Sequence, residues 1–225
     1  MTVFPKAFIF DLDGVITDTA EFHFLAWQKL SSDLGITINR EFNEQLKGIG
    51  RMESLERILS LDVRFENLSF EEKERIASRK NEYYQAFIKT IQPDDILPGI
   101  LPLLTEIKEN KIYIALGSAS RNATKILEQL HLTSTFDFVV NAASVSKGKP
   151  DPETFLTAAN ALNVPNADCI GIEDSAAGIN AINGAGMFSV GVGNQTHLHK
   201  AHYLVDETSL LTFEDIIQQY TDWKN

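Results

Sequence analysis

Near the start of the chain, Ala7-Phe8-Ile9-Phe10 runs apolar for four residues and then stops at an acid, continuing as Asp11-Leu12-Asp13-Gly14. An aromatic and β-branched run that breaks off so abruptly is too short for a helix and reads as a strand buried on both faces. Asp11 and Asp13 are two residues apart, so in extended backbone their carboxylates point the same way, and Gly14 lets the chain turn sharply. Open α/β sheets bind ligands just past the carboxyl ends of their strands. Two anions held together there repel each other unless a cation or a proton intervenes. The competing reading is an ordinary Asp-Gly turn.

Similar apolar runs recur at 112–116, 169–172 and 189–192, with a shorter one at 138–140. Helical stretches are expected between them, at about 100–109, 123–130, 153–162 and 176–185. Strand alternating with helix implies crossover connections and a doubly wound, Rossmann-like parallel sheet with helices on both faces. Residues from about Thr17 to Pro93 differ. They carry helical apolar periodicity (Phe24, Trp27, Leu30, Leu34; Leu55, Ile58, Leu59), a long charged helix over 70–88, and no convincing strand. Pro93, Pro98, Gly99 and Pro102 punctuate the return. The expected organisation is an α/β core made of residues 1–16 and 95–225, with a helical cap at 17–94.

Further polar constellations fall at strand ends. Gly171-Ile172-Glu173-Asp174-Ser175 ends a strand in two acids. Ser175 or Asp174 could cap the next helix, which would leave Glu173 unexplained. If this strand lies beside the first, four carboxylates converge, and hard oxygen ligands of that kind suit Mg²⁺. Gly117-Ser118-Ala119-Ser120-Arg121-Asn122 follows another strand and opens a helix, where N–H groups and a hydroxyl can receive an anion, or where Ser120 or Asn122 is simply an N-cap. In Lys147-Gly148-Lys149-Pro150-Asp151-Pro152, the prolines stiffen a turn that could hold a lysine as a point cation; Lys149 is preferred over Lys147 for its fixed position.

Composition narrows the function classes. Lys and Arg total 20 against 31 Asp and Glu, a formal net charge of -11, which disfavours nucleic acid or an anionic membrane as partner. The single cysteine, Cys169, cannot form an intramolecular disulfide and fits a reducing compartment. No secretory signal or membrane-length apolar run is evident, so a cytoplasmic protein is expected.

Acid pair, hydroxyl loop, lysine and late acid pair, in this order, resemble the haloacid dehalogenase-like superfamily across essentially the whole chain. The segment from Phe10 to Glu21, with His23, Trp27 and Phe42-Asn43-Glu44-Gln45-Leu46-Lys47-Gly48, resembles the β-phosphoglucomutase family within it. That resemblance implies Mg²⁺-dependent interconversion of β-glucose 1-phosphate and glucose 6-phosphate through the 1,6-bisphosphate. It implies Asp11 as nucleophile, forming an aspartyl phosphate, and Asp13 as general acid/base that also gives its backbone carbonyl to the metal. Glu173 and Asp174 would complete the metal site, and Ser118 and Lys149 would hold the transferring phosphoryl group. Arg51, near Gly48 and Lys47, would bind the distal phosphate, with Ala119, Ser120, Arg121 and Asn122 lining the other side of the substrate. Thr19, His23 and Lys80 would couple cap closure to Asp13; Trp27, four residues after His23, reads as core packing or as a shield over the site. Sugar phosphates are the implied partners, and a monomer is the expected state.

Two alternatives share this scaffold. A small-metabolite phosphatase would use the same acids with water as acceptor, and the Lys147–Pro152 loop has a form common in such enzymes. A non-enzymatic binding protein is disfavoured by the intact set of reactive side chains. His197, His199 and His202 read as a surface loop, since no acid or cysteine completes a metal site beside them. Cys169, inside an expected strand, reads as buried and inert.

Overall fold

The computed structural model describes residues 2–47 and 49–225. Strand β1 (Ala7–Phe10) is followed by helices α1 (Ala20–Asp33), α2 (Arg40–Glu44), α3 (Arg51–Leu59) and α4 (Phe70–Ile88) before the chain returns to the sheet. Then come α5 (Ile100–Glu109), β2 (Tyr113–Leu116), α6 (Ala123–Gln129), β3 (Phe138–Val139), α7 (Glu153–Ala161), β4 (Cys169–Glu173), α8 (Ala176–Gly184), β5 (Phe188–Val192), α9 (Gln195–Leu198), β6 (Tyr203–Val205) and α10 (Phe213–Lys224).

The strands form one parallel sheet in the order β3-β2-β1-β4-β5-β6. β1 is central, with Phe10 paired to Leu116 on one side and to Ile172 on the other. Its alternate residues feed different cores, as the two-residue strand period requires. Phe8 and Phe10 join Leu103, Ile107, Ile126 and Ile216 under α5, α6 and α10. Ala7 and Ile9 join Phe155, Ala158, Ile179 and Ile182 under α7 and α8. Full burial of such side chains, at about 1.5–3 kcal/mol each, is what fixes register at the sheet centre.

The expected doubly wound core is therefore present, with differences at its margins. β2 starts one residue later than the apolar run, because Ile112 precedes the paired register. β3 is reduced to two residues at the sheet edge. The three-residue β6 and the amphipathic α10 were not among the sequence expectations. Tyr203-Leu204-Val205 is too short to signal a strand by pattern and owes its form to pairing with β5.

The helical insert has its own apolar cluster, built from Trp27, Leu30, Ile36, Ile38, Leu46, Leu55, Ile58, Leu59 and Ala77. α4 opens on a capping box: Ser69 Oγ accepts from the Glu72 N–H, and Glu72 Oε2 accepts from the Ser69 N–H. The two segments joining insert to sheet run side by side. Thr17 bridges both Asp13 and Ile96, its hydroxyl donates to the Asp95 carbonyl at 2.8 Å, and the Leu97 N–H donates to the Ile16 carbonyl at 2.9 Å.

Candidate active site

Because β1 and β4 are neighbours, their carboxyl ends bring Asp11 beside Glu173 and Asp174, which lie more than 160 residues away in sequence. Oxygens of these three carboxylates lie within 4.8 Å of one another. Lys149 reaches them from the loop before α7. Its Nζ stands 2.6 Å from Asp11 Oδ1 and 2.7 Å from Glu173 Oε2, with the ammonium fully buried. Lys147, by contrast, is 74% exposed, which decides between the two lysines. The other Glu173 oxygen accepts from both the N–H and the hydroxyl of Ser175. Glu173 is thus committed on both oxygens, while Ser175 also caps α8 by accepting from the Gly178 N–H.

The acid pair after β1 does not stay extended. The backbone N–H of Asp13 folds back to Asp11 Oδ2 at 3.1 Å, and Gly14 turns the chain at φ +78°. A β-carbon at position 14 would collide with the Asp174 carboxylate, so glycine is required there on conformation and on space. The result separates the two acids' surroundings. Asp11 joins the metal-like cluster, whereas Asp13 faces the insert, with Oδ2 3.7 Å from His23 Nε2.

The electrostatics follow from crowding anions in a dry site. Burial, then Glu173, pushes the Asp11 carboxyl up to about 8 against the pull of Lys149. Burial pushes Asp13 up to about 7, opposed by Lys80 and Lys149. Asp174 is held well above the ordinary carboxylate range by burial, then by Glu173 and Asp11. For Lys149, burial works against the ammonium, but Asp11 and Glu173 overcome it and hold the group above its usual value. Burial and then Arg51 bring Lys80 down to about 7, and burial with Lys80 and Arg51 keeps His23 well below its ordinary value.

A cavity of about 410 Å³ lies between the sheet edge and the insert. Asp11, Asp13 and Asp174 line it from the sheet, with Ser118, Ala119, Ser120, Arg121 and Asn122 from the loop after β2. The insert contributes His23, Trp27, Lys47, Arg51 and Lys80. Of the other residues singled out in the sequence, Thr19 is fully buried at the hinge, and Lys149 and Glu173 stand behind Asp11. Gly48 lies outside the described residues. Asn122 occupies the N-cap position of α6 without a side-chain capping bond, so capping does not account for it. Its side chain instead meets the insert, donating to Asn81 Oδ1 at 3.0 Å and accepting from Gln85 at 3.3 Å. Arg51 donates to the same Asn81 oxygen at 2.8 Å.

Asn81, Tyr84 and Gln85 were missed in the sequence. The available signal was helical phase: with Lys80 they sit within two turns of α4, on the side that carries its buried residues Ala77, Lys80, Tyr84 and Ile88. Among the described residues, the acid cluster above is the only group of three or more metal-ligating side chains gathered in one place, and the C-terminal histidines form none. Cys169 is buried, and burial beside Asp168 pushes its thiol up to about 12, leaving it unreactive. No described helix is long and apolar enough to cross a membrane.

Comparison with known proteins places this arrangement among relatives. Residues 5–186 match the family model described as haloacid dehalogenase-like hydrolase. The chain is 48% identical over 219 residues, 97% of each chain, to a beta-phosphoglucomutase from Bacillus subtilis. The crystal structure of a beta-phosphoglucomutase from Clostridium difficile superposes with a TM-score of 0.95 at 52% identity, covering 98% of this chain and 99% of that one. A phosphorylated carbohydrates phosphatase from Thermotoga maritima is 28% identical over 216 residues, 94% of this chain and 96% of that protein.

Proposed function

The chain belongs to the haloacid dehalogenase-like hydrolase family, and we propose that within it the protein is a β-phosphoglucomutase, interconverting β-glucose 1-phosphate and glucose 6-phosphate. The observation that carries this reading is a second anion anchor in the same cavity as the acid cluster. Asp11, backed by Lys149, lines it at the sheet edge, while Arg51 from the insert and Arg121 from the core line it elsewhere. Burial, and then the charge of Arg121, draws the Arg51 guanidinium below its ordinary value, and an anion between the two would offset their repulsion. A substrate carrying a phosphate at each end needs two such anchors, whereas simple hydrolysis needs one.

The chemistry follows from the side chains. An Asp11 carboxylate oxygen attacks phosphorus in line, the bond from phosphorus to the sugar oxygen breaks, and an aspartyl phosphate forms. Asp13 protonates the departing sugar oxygen. Once a bisphosphate primer has left Asp11 phosphorylated, the 6-hydroxyl of β-glucose 1-phosphate attacks that phosphorus, Asp13 takes its proton and Asp11 leaves, giving the 1,6-bisphosphate. Bound the other way round, the bisphosphate returns its 1-phosphoryl group to Asp11 and departs as glucose 6-phosphate. A group pushed up to about 7 can serve in both directions near neutral pH. Lys149 and Ser118 neutralise and orient the phosphoryl oxygens, and the insert keeps out water that would hydrolyse the acyl phosphate.

The residues present fit a divalent cation. Oxygens of three buried or half-buried carboxylates converge, and the Lys149 ammonium contacts only Asp11 and Glu173; burial first, and then the neighbouring acids, holds Asp11 and Asp174 above the ordinary carboxylate range. Hard oxygen donors of this kind suit Mg²⁺. Asp11 and Asp174, with the Asp13 backbone carbonyl, would hold it, and Glu173 would add charge from behind through Lys149. When bound, Mg²⁺ would withdraw charge from the phosphoryl oxygens.

The second reading is a sugar-phosphate phosphatase, favoured by the relative that acts on phosphorylated carbohydrates. One assay separates the two. The purified protein is given β-glucose 1-phosphate, Mg²⁺ and a bisphosphate primer, and glucose 6-phosphate and inorganic phosphate are both followed. Glucose 6-phosphate as the main product supports the mutase; dominant phosphate release overturns it in favour of the phosphatase.

A further inference from the structure

We propose that Tyr84 is a further substrate-binding residue, its phenolic hydroxyl hydrogen-bonding from the insert to the sugar hydroxyl that Asp13 serves. The proposal rests on the sugar-phosphate reading above. Tyr84 lies on α4, one turn beyond Lys80, and is 1% exposed. Its ring has clear work to do: the ring centroid is 4.1 Å from that of His23, Lys80 Nζ stands 4.8 Å over its face, and it packs into the main core with Phe10 and Leu12. Phenylalanine would serve all of these contacts, so the hydroxyl needs its own explanation.

That hydroxyl is buried without a hydrogen-bond partner. Thr19 and Ser120 lie beside it, yet neither makes a well-formed bond to it. A buried hydroxyl in that condition costs stability in the free protein and is expected to find a partner in another state. Three further buried atoms nearby are in the same condition: Thr19 Oγ1, Asp13 Oδ1 and His23 Nε2. Asp13 and His23 approach each other at 3.7 Å, and both line the cavity with Tyr84. The remaining unpaired buried side-chain atoms among the described residues, on Ser31, Gln129 and Asn183, belong to residues that do not line it. Of the unpaired set, the Asp13 carboxyl, the His23 ring nitrogen and the Tyr84 hydroxyl belong to residues that line the cavity, a mixture of acceptor and donor capacity. A polyol, whose hydroxyls donate and accept without bringing charge, satisfies it; inorganic phosphate is an anion and is repelled by the carboxylates at this end of the cavity.

The test uses Tyr84→Phe, which keeps the ring and removes the hydroxyl, in an Asp11→Asn background where no turnover occurs. Titration calorimetry with β-glucose 1-phosphate should show about tenfold weaker binding than Asp11→Asn alone. Inorganic phosphate should bind within twofold in both proteins, because the hydroxyl serves the ring. The melting temperature without ligand should be unchanged or higher, since an unpaired buried hydroxyl has been removed. Equal binding of β-glucose 1-phosphate by the two proteins, parallel loss of phosphate binding, or a lowered melting temperature would each overturn the assignment. If Asp11→Asn fails to bind β-glucose 1-phosphate at all, the functional reading falls and takes this one with it. Should the native protein release phosphate from the sugar without isomerising it, while Tyr84→Phe still weakens sugar binding, the mutase reading alone is lost.

Discussion

Gly178 is a glycine because Glu173 occupies the space where its side chain would go: a β-carbon there would collide with the Glu173 carboxyl carbon. The contact is consequential because Glu173 is the far partner of Lys149, and Lys149 is the partner of Asp11. Gly178→Ala is expected to displace the carboxylate and destabilise the fold by about 1–3 kcal/mol, as overpacking does. Turnover should fall with it as Lys149 loses its fixed position. Urea unfolding and kcat measured on the same preparation check both effects, and a variant native in both would show that Glu173 has slack.

Asp11→Asn keeps the shape of the side chain and removes the attacking oxygen's charge. Turnover should be lost by at least about a thousandfold, as expected for a covalent nucleophile. Circular dichroism should remain native. Residual activity within tenfold of native would refute the nucleophile assignment.

Asn81 holds Arg51 and Asn122 on a single carbonyl oxygen, joining the insert to the loop after β2. Asn81→Ala frees the guanidinium to wander and unpairs Asn122. KM for the sugar phosphate should rise about tenfold, the scale of one hydrogen bond to a charged group, with kcat little changed. Steady-state kinetics with primer in excess would test this, and a change confined to kcat would contradict it.

His202 gives the molecule a pH-dependent stability outside the active site. The Ser189 N–H donates to His202 Nδ1 at 3.0 Å, so that nitrogen must be unprotonated, and burial draws the group below its ordinary value. A histidine depressed in the folded state stabilises the protein fully above its unfolded value of about 6.5 and loses that contribution as pH falls through the folded value. The urea midpoint should therefore drop between about pH 7 and pH 5 by more in the native protein than in His202→Gln, a comparison made at matched ionic strength. Equal drops in the two proteins would remove His202 from the account.

Much of this was legible in residues whose identity is dictated by burial or chemistry. The four-residue run ending at Asp11 has only one comfortable structure, and the late acid pair beside it followed from adjacent strands. Lys149 could be preferred to Lys147 because Pro150 follows it directly and, with Pro152, stiffens its turn. What was hidden depends on partners distant in sequence. Asp13 leaves the direction of Asp11 because Gly14 turns the chain and the Asp11 carboxylate captures its N–H. β6 exists by pairing with β5 rather than by its own pattern. Tyr84 and Asn81 sat in a helix whose composition reads as charged surface, and only the opposing loop after β2 reveals what they face.

The paired crossings at Thr17 bind the insert along one margin, like a page sewn at its spine. Both covalent connections lie at that margin, while Asn81 and Gln85 fasten the insert to the core elsewhere by hydrogen bonds alone. With its own apolar cluster and only two covalent crossings, the insert can take up substitutions away from Thr17 and Asp95 while the register of the sheet, and with it the reactive acids, stays where it is.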